Sequence, residues 1–312
     1  IITGTTTRKT VFALILALTA LPWLSVKYVP VTAALAAYFL YKNWNSERKK
    51  TYFFSLVMGI SAIAYLIIHK RIYGGWTVYA SGDHFVNGEF EVVGRNPNLA
   101  ARTRRLSGLL LDQQFGLIPW TPAFFALIPA FAFTVKERFK ETFLLLLCAV
   151  VGWSVATWVA LTMHGWWWPG RQLVVILPTA IIAMSILAEK FRAWRWFIYL
   201  GGISGVIAWL WLSFEATTDR RTLVVDFYET TYPIYQALAD VLPDFTDFDQ
   251  SALLLIGFWL TGIAVATILT ITRKTKVLTK RPSIRYETRT QTLKIQGTKS
   301  KLKISKQVFE EH

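Results

Sequence analysis

The chain has a single cysteine, Cys148, and it lies inside an apolar run. One thiol leaves no disulfide, no zinc set and no paired redox motif. Charge is scarce too, at 17% of the residues, and acidic charge scarcest: 19 Asp and Glu stand against 34 Lys and Arg, a net of +15. A soluble domain carries about 25% charged residues, so soluble folds are set aside. The chain opens on Ile1-Ile2-Thr3-Gly4, without an initiator Met or a signal-peptide pattern. It is therefore expected to be processed or trimmed at its start, or a piece of something longer.

Apolar sequence fills the space that charge leaves. Of the 312 residues, 54% are hydrophobic and 15% aromatic, with a mean hydropathy of +0.39. Several runs approach or reach the roughly 18 to 20 residues needed to cross the hydrocarbon. The expected fold is all-α, a polytopic transmembrane helical bundle of about eight spans, near residues 10–23, 29–41, 51–69, 115–135, 142–162, 171–188, 196–213 and 251–271. The first two are short. Pro22 and Pro30 bracket the polar centre between them, and each proline removes a backbone donor and disfavours helix just before it.

The positive charge is distributed as orientation requires, not as nucleic acid would. With a cytoplasmic amino terminus, 24 of the 34 Lys and Arg fall on the cytoplasmic side and 12 of the 19 acids on the other, which is the positive-inside pattern. Both termini are then cytoplasmic. Residues 1–271 form a transmembrane domain with outside loops 70–113 and 214–250, and residues 272–312 form a basic tail. That tail alternates with period two in Ser283-Ile284-Arg285-Tyr286 and Lys301-Leu302-Lys303-Ile304. A small hairpin turning near Gly297 competes with a solvated tail held near anionic headgroups.

The stretch from Met163 to Gln172, with Trp166-Trp167-Trp168-Pro169-Gly170-Arg171, packs aromatic rings, a turn and a cation between two apolar runs. Tryptophans at that depth are interfacial anchors. Arg171 is costly at the mouth of an apolar helix unless it snorkels or pairs, and its fork matches phosphate geometry. Arg102, Arg104 and Arg105 lie on the same outer side, followed by an apolar stretch, Leu106–Leu111, expected along the interface. Their positive charge runs against the inside rule, and lipid phosphate or substrate phosphate would each account for it.

Three segments, in this order, resemble a known family: Leu21-Pro22-Trp23-Leu24-Ser25-Val26-Lys27-Tyr28, then Leu110-Leu111-Asp112-Gln113-Gln114-Phe115-Gly116-Leu117-Ile118-Pro119-Trp120-Thr121-Pro122, then Trp166 through Pro178. They are similar to turns in the C-type (GT-C) glycosyltransferases, the protein-mannosyltransferase-like membrane proteins of bacteria and archaea. The resemblance covers roughly residues 8 to 190 and matches the carboxy-terminal half of such proteins. It implies a multi-pass protein of a prokaryotic plasma membrane that takes a sugar from a polyprenyl-phosphate donor on the outer face. The acidic residue that the family carries in its first outside loop, its catalytic base or divalent-metal contact, has no counterpart here.

Such a transferase needs a carboxylate to deprotonate the acceptor and a cation for the departing phosphate. Arg171 is the first choice for donor phosphate, with Arg104 and Arg105 next and Arg102 beside them. For the carboxylate, Asp112 competes with Asp83. Asp112 stands where it can cap helix amides, and Asp83, beside His84, lies in a turn-rich segment where Asp and Gly are at home. His164 faces the same side, but no third ligand at proper spacing marks a metal. In the acidic loop, Ile234, Leu238 and Val241 are expected to face one side of an amphipathic helix, forming either an outside cap or a lid. A second class of function stays open: a non-catalytic subunit whose loops and tail hold other membrane subunits. A transporter is less consistent with spans so free of charge. Membrane lipids are partners in each case.

Overall fold

The computed structural model describes residues 7–76, 99–160, 170–222 and 227–273, and among these the chain is helical with no strand. Residues 274–312 form a separate unit; the expected hairpin near Gly297 lies outside the described residues. Among the described residues four helices are long and apolar enough to cross a bilayer: Arg48–Tyr73, Thr142–Val159, Arg192–Thr217 and Gln250–Thr272. Their side chains are mostly exposed, as with Leu56, Ile60 and Ile63 in the first and Leu254, Phe258 and Leu269 in the last. Helices hydrophobic all round and yet uncovered by protein are built for lipid contact.

Helix α1 (Arg8–Leu24) and helix α2 (Val29–Asn43) are joined by a 3-10 turn, Val26–Tyr28. Pro22 falls in the last turn of α1, and Pro30 opens α2, where its missing N–H costs nothing. With α3 (Arg48–Tyr73) these helices enclose a small core of Val11, Ile15, Leu18, Phe39 and Phe54.

The larger body begins with two short helices, α4 (Leu99–Thr103) and α5 (Arg105–Leu111), followed by α6 (Leu117–Trp120) and a 3-10 segment, Pro122–Ala126. Of the stretch Leu106–Leu111 expected along the interface, Leu109, Leu110 and Leu111 are buried in the main core with Phe227, Tyr235 and Phe245 of the acidic segment, while Leu106 stays exposed.

Helical backbone then runs from Leu127 to Ser154 as α7, continued by a π-helical turn, Val155–Val159. A straight 28-residue helix would span about 42 Å. Yet Leu117 and Phe124 before it share a groove with Arg171 and Val174, and a Cβ on Gly152 would strike the Val175 side chain. Both ends of the segment therefore meet the same turn. Lys136 meanwhile donates to the Ile271 carbonyl at the carboxyl end of α11 (Gln250–Thr272). The chain must double back inside α7, between Lys136 and Thr142, where the apolar span begins.

Helix α8 (Leu177–Lys190) and helix α9 (Arg192–Thr217) are separated only by Phe191, so the link expected over Lys190 to Arg195 is a one-residue break. Gly201 and Gly205 put small residues one turn apart on α9. A Cβ on Gly201 would lie 2.5 Å from the Ala123 backbone nitrogen, and one on Gly205 would strike Thr121. That spacing lets two membrane segments approach backbone to backbone.

The acidic segment forms a packed cap. A 3-10 turn, Phe227–Glu229, and helix α10 (Pro233–Ala239) lie on α6. Trp120 stacks on Tyr235 at 4.1 Å between centroids and tilts against Phe227 at 5.5 Å. The expected face is wrong in detail. Ile234 and Val241 are exposed while Tyr235 and Leu242 are buried, since stacking on Trp120 sets the rotation of α10 and the helix ends before Val241.

Candidate functional site

Three segments of the chain converge on one end of the bundle. Gly170, with φ +75°, adopts a left-handed conformation that glycine alone takes cheaply. It starts the 3-10 turn Arg171–Leu173. Its Cα lies so close to α6 that a Cβ would stand 2.9 Å from the Leu117 side chain. Between this turn and the α6 segment opens a groove of about 420 Å³, walled by Leu117, Trp120, Phe124, Val174 and Leu177, with Arg171 on its lining.

Lys27 reaches the same place from the α1–α2 turn, its Nζ donating to the Arg171 carbonyl at 2.8 Å. Its ammonium is held below the ordinary lysine range, first by burial and then by the Arg171 charge. Lys27 thus stands beside Arg171, which lines the apolar groove, and two like charges in one place favour an anion there. The groove walls suit a hydrocarbon chain, and the mouth suits phosphate.

The other arginines do something different. The turn holding Lys27 touches Val155–Val159 on one side, and α4 and α5 touch it on the other. Arg102, only 2% exposed, donates through Nη1 to the Trp158 carbonyl. Arg105 donates to the Ala160 carbonyl at 2.7 Å. Cations at a helix carboxyl end satisfy the carbonyls left over there and favour the dipole. Burial first, then the charge of Arg102, brings the Arg105 guanidinium down to about 10, so it stays a cation at neutral pH. Arg104 lies over the Phe248 ring at 4.1 Å. Arg105 is thus built into the end of α7, and Arg104 is drawn toward the cap.

Asp112 is 1% exposed. One carboxylate oxygen accepts from the Gln114 and Phe115 N–H groups at 3.0 and 2.7 Å, and the other from the Phe245 N–H at 3.1 Å. It caps the turn into α6 and ties that turn to the cap. Beside it, Gln113 donates to the Pro243 carbonyl and to Asp244. The Tyr235 hydroxyl is pushed upward by its burial and, after that, by the charges of Asp112 and Tyr228. Glu215 is also buried and accepts from Thr230 at 2.7 Å, from the Thr231 N–H at 2.9 Å and from Trp211 at 3.3 Å. Both buried carboxylates hold the cap to the bundle.

Asp83, His84, His164 and the anchors Trp166, Trp167 and Trp168 lie outside the described residues. Among the described residues no group of three His, Cys, Asp or Glu is placed to share a metal ion. The sequence reading missed Lys27 as the partner of Arg171. The signal was there, a lone cation held between two prolines in the first of the three resembling segments.

Exposed apolar helices of spanning length define the class: an integral membrane protein. No family model matches the chain, and neither a curated protein nor a solved structure matches it.

Proposed function

We propose that this chain binds a polyprenyl-phosphate sugar at the Arg171 groove and belongs to a C-type glycosyltransferase-like enzyme of a prokaryotic plasma membrane. One observation carries the reading. The second and third of the segments that resemble that family, far apart in sequence, line one groove together with Arg171, and the first sets Lys27 on the Arg171 carbonyl beside it. The prenyl chain would lie along Trp120, Phe124 and Leu177. The two cations would balance the charge growing on the phosphate as the sugar leaves. The proposed topology has eight spans and cytoplasmic termini. α1, α2, the two arms of α7, and α8 with its entry turn join α3, α9 and α11, and the groove opens on the outer face. Replacing Arg171 by Ala removes a charged donor worth about 1.5–3 kcal/mol. Affinity for a polyprenyl monophosphate should fall at least about tenfold, with the protein still inserted and folded; unchanged binding sinks the assignment.

A second reading has an observation of its own. Among the described residues no carboxylate lines the groove, while Asp112 and Glu215 are committed to backbone and hydroxyl donors. A non-catalytic subunit that holds lipid-linked donor for a partner membrane subunit would look like this. Stoichiometric co-purification of that partner in mild detergent favours the subunit; sugar transfer by the chain alone excludes it.

A further inference from the structure

At the carboxyl end of α11 lies a second groove, of about 520 Å³, between the start of α9 and the last turns of α11. Phe191, Trp194, Ala266, Leu269 and Thr270 line it, and Arg273 stands on its lining at the carboxyl end of the helix. Leu177, at the start of α8, lines the first groove and Phe191, just past its end, lines the second, so the two lie about 21 Å apart along that helix at 1.5 Å per residue. Arg273 follows the last residue of the apolar helix α11, which is long enough to span a bilayer, so the second groove lies at headgroup depth.

The construction of this groove is specific. Trp194 Nε1 donates to Thr270 Oγ1 at 3.0 Å, joining the two walls. The Arg273 guanidinium lies 5.9 Å from the Phe191 ring centroid. Among the described residues no carboxylate pairs with it. Neighbouring cations differ in their commitments: Lys136 donates to the Ile271 carbonyl, and Arg195 spans the Ala188 and Glu189 carbonyls. Their charges remain, so the rim is positive, with Glu189 and Glu137 the nearby acids in sequence. The outer wall continues into exposed Leu269 and Trp196, so the groove opens sideways on the lipid.

We propose that this groove is a binding site for an anionic phospholipid, with the phosphate on Arg273 and an acyl chain along Leu269 and Trp194. A soluble anion has no use for the apolar wall, and a zwitterionic lipid gains less from the positive rim. The site is independent of the transferase reading, since it uses neither Lys27 nor Arg171.

The test uses the full chain in mild detergent, titrated with phosphatidylglycerol or with phosphatidylcholine of identical acyl chains, and read as retained lipid by native mass spectrometry. Phosphatidylglycerol should be held about tenfold more tightly, equivalent to about 1.4 kcal/mol. Arg273→Ala should abolish that preference without lowering the melting temperature, because Arg273 is exposed. Lys190→Ala, removing another exposed cation at this end that does not line the groove, should keep it. Equal retention of both lipids overturns the proposal, as does an equal loss in Lys190→Ala or displacement of the lipid by inorganic phosphate at matched concentration.

Discussion

Arg102 and Arg171 are the same side chain at the same end of the bundle, used in opposite ways. Arg102 is buried and its fork runs into the carbonyl end of α7. Arg171 is exposed on the lining of a groove, and it is its backbone carbonyl that receives Lys27. Through Nη1 Arg102 satisfies the Trp158 carbonyl at the end of α7, so it is built into the fold. Two like charges side by side, Lys27 and Arg171, disfavour each other, and an anion bound there would offset that. The contrast separates an arginine that holds the end of a helix from one proposed to hold a ligand, which their shared position at one end of the bundle does not.

The largest effect expected from this contrast is on stability. Arg102→Ala removes a charged donor from a buried carbonyl and leaves a cavity, and should cost about 3 kcal/mol. Arg171→Ala, at an exposed position, should stay within about 0.5 kcal/mol. Denaturant or thermal unfolding in one detergent compares them directly. Equal losses in the two variants would break the distinction.

Next in size is affinity. Lys27→Met keeps the stem and removes the charge, so binding of a polyprenyl monophosphate should weaken about tenfold, while Arg102→Ala, once folded, should bind as the parent does. The salt dependence should also flatten in the lysine variant, because a partly exposed cation is screened as ionic strength rises. Should the methionine variant bind with undiminished strength and the same salt slope, Lys27 is no part of the site.

How much of this was legible in sequence depends on which force decided each element. The spans of α3, α9 and α11 were readable because lipid contact alone sets them: an all-apolar face needs no partner to be recognised. The reversal at Lys136 was readable because a charge cluster cannot sit mid-membrane. The three segments around the first groove were visible as motifs, but their meeting was not, since sequence order says nothing about which turns share a surface. The burial of Leu109 to Leu111 and the exposure of Ile234 and Val241 escaped the sequence for one reason. Both are fixed by packing between the cap and α6, a tertiary choice that overrides local periodicity. Gly201 and Gly205 carried a readable small-residue spacing, but only the close approach of Ala123 and Thr121 shows its use.

The smallest effect is the most discriminating, because it reads the Lys27 charge directly. Burial and the Arg171 charge hold the Lys27 ammonium below its ordinary 10.5. A lysine depressed on folding sheds its proton first in the folded state, so the strain of the cation pair is present at neutral pH and is relieved as pH rises through the folded value, up to the unfolded one. Across that alkaline window the parent should gain a little stability while losing anion affinity, and Lys27→Met should show neither change. Bound polyprenyl phosphate should move the window upward, since an anion favours the protonated amine. Following unfolding and binding over the same pH series tests both signs at once; stability that falls through this window in the parent and not in Lys27→Met would mean that the lysine is stabilised by a partner in the folded state, and that the groove mouth is not a strained pair awaiting an anion.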